Sequence, residues 1–129
     1  RFESLSVRHL NKRRFKMRVR YIVKKDEGVV VCLGELATLD LAKDLGFVPK
    51  NGEVDLIELI PYMINDTYRG VARLAEEDAW DEVLGKEIAY NKMMAKYLKA
   101  KTKKVESILK DVEDTAKDLK KVLETYKTV

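Results

Sequence analysis

Leu84, Ile88, Asn91, Ala95, Leu98, Thr102, Val105, Leu109, Val112, Ala116, Leu119, Leu123 and Tyr126 recur at alternating spacings of four and three. That is the period of a coiled-coil seam, and it predicts one continuous amphipathic helix over residues 80–129. No proline follows Pro61 and no glycine follows Gly85 to interrupt it. At 1.5 Å per residue such a helix is roughly 70 Å long, more than a small domain can cover with its own surface. The stripe therefore predicts a partner, most simply a second copy of the chain. Two seam positions are polar, Asn91 and Thr102, and a buried polar residue in a seam typically fixes register and copy number.

Upstream of the helix the period changes. Arg18 to Val23 and Val29 to Leu33 alternate with β-branched residues, and Lys25-Asp26-Glu27-Gly28 between them supplies a glycine where a hairpin turn needs positive φ, so a first hairpin is expected here. Leu39, Leu41, Ala42 and Leu45 share a short helical face, with Thr38 as its expected N-cap and Gly46 as its stop. Pro49, Asn51 and Gly52 mark a loop. Val54 to Ile64 is apolar enough for either a helix or a strand, and Pro61 inside it favours a strand bent or bulged at the proline. Asn65-Asp66-Thr67 reads as a turn and Tyr68 to Leu74 as a further strand. Asp78 is the expected cap of the long helix, with Asp81 and Glu82 complementing the positive end of its dipole. The fold class read from this order is α+β: a small antiparallel β-sheet followed by a long C-terminal α-helix that mediates coiled-coil-like oligomerisation. Residues 1–16 form a basic arm, residues 17–79 the sheet domain with a short helix, and residues 80–129 the long helix.

Charge sharpens this picture. The chain has 129 residues and a formal net charge of +4, and ten of its 26 Lys and Arg residues fall in residues 1–25, against the single acid Glu3. A front of that density points to an anionic partner, with Arg8, Lys12, Arg13, Arg14, Lys16, Arg18 and Arg20 as phosphate contacts if the partner is nucleic acid. The chain opens on Arg1, and Met17 is a candidate native start that would remove part of the basic arm from the native protein. With one cysteine there is no intramolecular disulfide, no apolar run reaches the length of a membrane span, and no secretory core is present near Arg1, so a cytoplasmic protein is expected.

Catalytic and metal chemistry finds little support. Glu76, Glu77, Asp78, Asp81 and Glu82 are carboxylates of the kind that bind divalent cations, but their place at a helix start explains them. His9 has no second His or Cys to complete a metal site, and Cys32 lies in the apolar run Val29 to Leu33 without a basic neighbour to activate it. Asp40 to Phe47 resembles the first helix of a helix-turn-helix, but Val48-Pro49-Lys50-Asn51-Gly52 stands where the second would be. No phosphate loop, paired acid–base carboxylates or Ser/His/Asp set occurs, so neither an enzyme, a cofactor nor a bound metal is expected. A nucleotide site is the better candidate: Trp80 offers a face for a base, Asn91 an amide to read its edge, and Arg69 and Arg73 guanidinium groups for phosphate.

The stretch Gly70 to Asn91, with Gly70-Val71-Ala72-Arg73, Asp78, Trp80-Asp81, Gly85 and Ala89, resembles a segment found in small proteins of phages and mobile elements of Gram-positive bacteria, among them the anti-Thoeris signal sponges. In such proteins the aromatic is more often Phe, and Leu74-Ala75-Glu76 departs from the usual approach to the acidic pair. The resemblance implies an antiparallel sheet with a long C-terminal helix, assembly through that helix, and sequestration of a cyclic nucleotide-like defence signal without cleavage. It implies pockets at a dimer interface near Trp80 and Asn91, with an arginine such as Arg73. Other proteins sharing the segment resemble double-stranded-RNA-binding folds. Two functions are thus expected in order: a phage counter-defence protein that binds and sequesters a nucleotide signal as a homo-oligomer, or a factor that binds nucleic acid, or inhibits a host protein, through the basic arm.

Overall fold

The computed structural model describes residues 17–48, 53, 55–75 and 77–127. Strands β1 (Met17–Lys24) and β2 (Val29–Leu36) form an antiparallel hairpin with Lys24 opposite Val29 and Met17 opposite Leu36. A 3₁₀ turn, Lys25–Glu27, joins them, and Gly28 closes it at a φ of 64°, in the left-handed region that a side chain disfavours. Strand β3 (Thr67–Arg73) pairs antiparallel with the other side of β2, giving the order β1-β2-β3. The central strand is the apolar one and both edges carry arginines, which discourages pairing with further strands.

Between β2 and β3 lie helix α1 (Asp40–Asp44), helix α2 (Leu56–Leu59) and a 3₁₀ turn, Ile60–Tyr62. The strand expected over Val54–Ile64 is therefore replaced by helix and 3₁₀ turn over Leu56–Tyr62, with Met63 extended. The Asp55 carboxylate accepts a hydrogen bond from the Ile57 N–H at 3.0 Å and starts α2. Pro61 falls in the first positions of the following turn, where an absent N–H costs nothing. Helix α1 begins after Leu39, whose side chain makes no cap, so Thr38 does not hold the role expected of it; Gly46 follows α1 at a φ of 77°. The loop at Pro49, Asn51 and Gly52 lies outside the described residues.

Helix α3 (Glu82–Lys127) is 46 residues long, about 69 Å. Its cap is Asp81, whose carboxylate accepts from the Leu84 N–H at 3.0 Å, and not Asp78. The first half lies across one face of the sheet. Gly85, Ala89, Met93 and Tyr97, four residues apart, are buried there with Met94, against Val30, Cys32, Leu36, Tyr68 and Ala72. The approach is close because the sheet is thin at Gly70: a Cβ on that residue would stand 2.0 Å from the Ala89 carbonyl oxygen. The heptad seam is a different stripe, beside the buried one, and Leu84, Leu98, Leu109, Val112, Leu119, Leu123 and Tyr126 on it are exposed.

Candidate functional site

Strand alternation sorts the sequence candidates onto two faces. Tyr68, Gly70 and Ala72 of β3 meet α3, so Arg69, Val71 and Arg73 point the other way. Gly34 and Cys32 of β2 also face α3 and are paired with Val19 and Tyr21, which places Arg18, Arg20, Ile22 and Lys24 of β1 on the far face with Val29, Val31, Leu33 and Glu35. This far face thus carries five exposed cations, Arg18, Arg20 and Lys24 along one edge and Arg69 and Arg73 along the other, with an apolar strip between. The two edges are separated by the width of two strand spacings, about 10 Å.

One carboxylate opposes this charge directly: Glu35 lies 3.6 Å from Arg20. Glu27 reaches Lys24 at 4.0 Å from the turn. Arg18, Arg69 and Arg73 have no carboxylate within ion-pair distance among the described residues, so their guanidinium groups are available to an external anion. No aromatic residue stands among those far-face positions, and Val29 and Val31 in the strip are buried, so the face offers charge at its two edges but no platform on which a base stacks.

The four residues expected to form a nucleotide pocket do not converge within one chain. Trp80 is half-buried against the core at the start of α3, and the depression it lines is completed by Asp78, Asp81 and Glu82 together with Leu74 and Leu84. Three carboxylates make that depression repulsive to a phosphate. Asn91 is exposed on α3, on the opposite side of the sheet from Arg69 and Arg73. What the fold gathers is a mixed set: Arg69 and Arg73 from the nucleotide candidate, Arg18 and Arg20 from the basic-arm candidate, and Lys24, which neither included. Lys24 has a sequence signal, since it lies four residues beyond Arg20, on the same strand face as Arg18, Arg20 and the intervening Ile22. Arg8, Lys12, Arg13, Arg14 and Lys16 lie outside the described residues, as does His9.

A second polar cluster ties α1 to α3. The Tyr97 hydroxyl donates to Asp40 Oδ2 at 2.8 Å, Lys101 Nζ donates to the same oxygen at 3.2 Å, and Lys101 also pairs closely with Asp44. Burial, and then the bond to Asp40, push the Tyr97 phenol far above its usual pKa. Burial likewise raises the phenol of Tyr68, whose hydroxyl has no hydrogen-bond partner among the described residues, and the thiol of Cys32. These groups hold their protons more tightly than free ones, the opposite of what a base or nucleophile needs. Among the described residues no group of three His, Cys, Asp or Glu side chains is placed to hold a metal ion, and no helix is long and apolar enough to cross a membrane. The chain matches no protein-family model, no curated protein and no solved structure.

Proposed function

We propose that this chain is a non-catalytic, homo-oligomeric protein that binds nucleic acid along its phosphate backbone through the face of the sheet turned away from α3. The observation that carries the reading is the convergence of Arg18, Arg20, Lys24, Arg69 and Arg73 on one face from two different strands. Phosphates are matched by exposed guanidinium groups, and the absence of an aromatic among these positions argues for backbone contacts over base stacking, hence for weak sequence preference. In the sequence, residues 1–16 before β1 carry further basic side chains, Arg8, Lys12, Arg13, Arg14 and Lys16. Sequestration of a cyclic nucleotide-like signal, the role implied by the resemblance, is the alternative, and it requires a second chain to complete a pocket around Trp80 or Asn91.

The test is fluorescence anisotropy with labelled 20-base-pair DNA and RNA duplexes across a salt series. Replacing Arg18, Arg20, Arg69 and Arg73 together by Gln should reduce the steepness of log affinity against log salt by about 3.6, at roughly 0.9 per lost phosphate contact on duplex DNA. A slope unchanged by the four substitutions overturns the reading. Calorimetric titration with cyclic ADP-ribose isomers and cyclic oligonucleotides belongs beside it: tight binding of one of these by the fourfold variant would favour sequestration.

A further inference from the structure

The homo-oligomer expected from the seam acquires an orientation once the structure shows which part of α3 its own sheet occupies. From Leu109 onward every described residue of α3 is exposed, including Leu109, Val112, Leu119, Leu123 and Tyr126, the last at 76%. The first half of the seam is poorer: Asn91, Ala95 and Thr102 interrupt it, and the sheet-packed stripe of Gly85 and Ala89 runs alongside. The strongest uncovered apolar stripe is therefore the tail, Leu109 to Tyr126, in which three a and three d positions fall.

We infer that two copies of the chain join through this tail as an antiparallel pair centred between Lys117 and Asp118, with their sheets at opposite ends. This rests on the homo-oligomer reading and adds orientation and register to it. In heptad terms Leu109, Ala116 and Leu123 are the a positions and Val112, Leu119 and Tyr126 the d positions. Antiparallel pairing sets each a residue against a d residue, giving Leu109 with the partner's Tyr126, Val112 with the partner's Leu123, and Ala116 with the partner's Leu119. Each layer then joins a smaller side chain to a larger one. Parallel pairing would instead set Ala116 against itself, leaving a thin layer in the middle of the stripe.

Charge selects the same arrangement. The residues flanking the d positions are Glu106, Glu113, Lys120 and Lys127, two acids and then two bases. In antiparallel pairs these positions face one another, so Glu106 meets the partner's Lys127 and Glu113 meets the partner's Lys120, each contact occurring twice by symmetry. Sliding the pair by one heptad places Glu113 against its own copy in one direction and Lys120 against its own copy in the other. In a parallel pair they would instead face Ile108, Thr115 and Val122, which carry no charge. Within the chain Lys127 reaches Glu124 at 3.6 Å, an exposed contact that competes weakly, whereas Glu113 and Lys120 make no ion pair among the described residues. Room exists on the same side: Pro61 and Tyr62 stand off the helix across an open groove of about 540 Å³, along which Ile108, Val112, Ala116 and Leu119 lie.

The experiment separates oligomerisation from orientation. Sedimentation of the full chain at 1–100 µM should show a monomer–dimer equilibrium; a monomer throughout that range overturns both the oligomer and its orientation. Orientation is read by oxidative crosslinking of Leu109→Cys and Tyr126→Cys, with Cys32 buried and silent. In the antiparallel pair each variant alone gives no crosslink and their equimolar mixture does; crosslinking of each variant alone means a parallel pair and overturns this inference while leaving the oligomer intact. Lys120→Glu should weaken dimerisation about tenfold, and the double swap Glu113→Lys with Lys120→Glu should restore it. A double swap that fails to restore affinity, with the tail still helical by circular dichroism, rejects the register.

Discussion

The two halves of α3 differ in what covers them while sharing one backbone. In the first half the sheet accepts a stripe that runs from small residues, Gly85 and Ala89, to the large buried Met93 and Tyr97, because Gly70 and Ala72 on β3 leave room for the helix to descend onto the strand. In the second half the apolar residues are branched aliphatics, Leu109, Val112, Leu119 and Leu123, and all four are exposed. Gly85 and Ala89 let the helix approach the sheet closely, whereas a leucine-rich heptad stripe has the period of a helix–helix seam. On the proposal that the tail pairs with a second copy, a single uninterrupted helix serves two packing rules in series; the seam period alone does not say which stripe the domain itself uses.

The sharpest way to break this contrast is to thicken the sheet where the helix touches it. Gly70→Val puts side-chain atoms where the Ala89 carbonyl and the Met93 amide already stand, and neither can give without lifting α3 from β3. A loss of about 3 kcal/mol or more in urea unfolding is expected. A fully stable Gly70→Val protein would mean that the helix does not lie on the sheet as described.

Much of the contrast is legible in the sequence and part is not. The hairpin can be read because Gly28 satisfies a backbone need that few residues meet, and α3 can be read because nothing after Gly85 interrupts its period. The segment Val54–Ile64 misleads, since a short apolar run with a proline fits a bulged strand as well as a helix followed by a tight turn. What decides it is local: the Asp55 cap and the tolerance of a turn's first positions for Pro61. The site is less legible than the fold. Arg18 and Arg20 read as part of a basic arm and Arg69 and Arg73 as part of a nucleotide pocket, because their common face depends on β2 lying between β1 and β3, a pairing that no local pattern encodes. Asn91 and Trp80 attract attention through their chemistry, yet Trp80 packs the helix start and Asn91 faces solvent.

A smaller effect sharpens the boundary between the two halves, which falls near Tyr97 and Lys101, where α1 is tethered. Tyr97→Phe removes the donor to Asp40 while Lys101 still satisfies that oxygen, so a loss of about 1 kcal/mol is expected at neutral pH. Alkaline titration gives a second readout. The folded chain holds the Tyr97 proton well above pH 10, whereas the unfolded chain releases it near pH 10. The unfolded state therefore binds fewer protons in that range, and stability that is complete below pH 10 falls above it, by up to about 1.4 kcal/mol per pH unit from this group. Denaturation curves between pH 9 and 11 should be visibly flatter for Tyr97→Phe than for the wild type; equal slopes would assign the alkaline loss to other groups.

The smallest expected change is the most telling about the tail. Leu119 is 64% exposed and lies beyond the part of α3 that the sheet covers, so replacing it by Glu removes no contact with the sheet core. In chains diluted below their association range, unfolding free energy should shift by no more than about 0.5 kcal/mol, the ordinary scale of a surface substitution. The same charge at Met93, which is fully buried against the sheet, should prevent folding, because a carboxylate there has no partner and no water. At concentrations where wild-type chains associate, Leu119→Glu should instead lose the added, concentration-dependent stability that association supplies. Thermal melts of wild type and Leu119→Glu over a hundredfold range of concentration therefore separate the two packing rules: coincident midpoints when dilute and divergent ones when concentrated fit a tail that packs between chains. A large loss at every concentration would mean that Leu119 packs within its own chain.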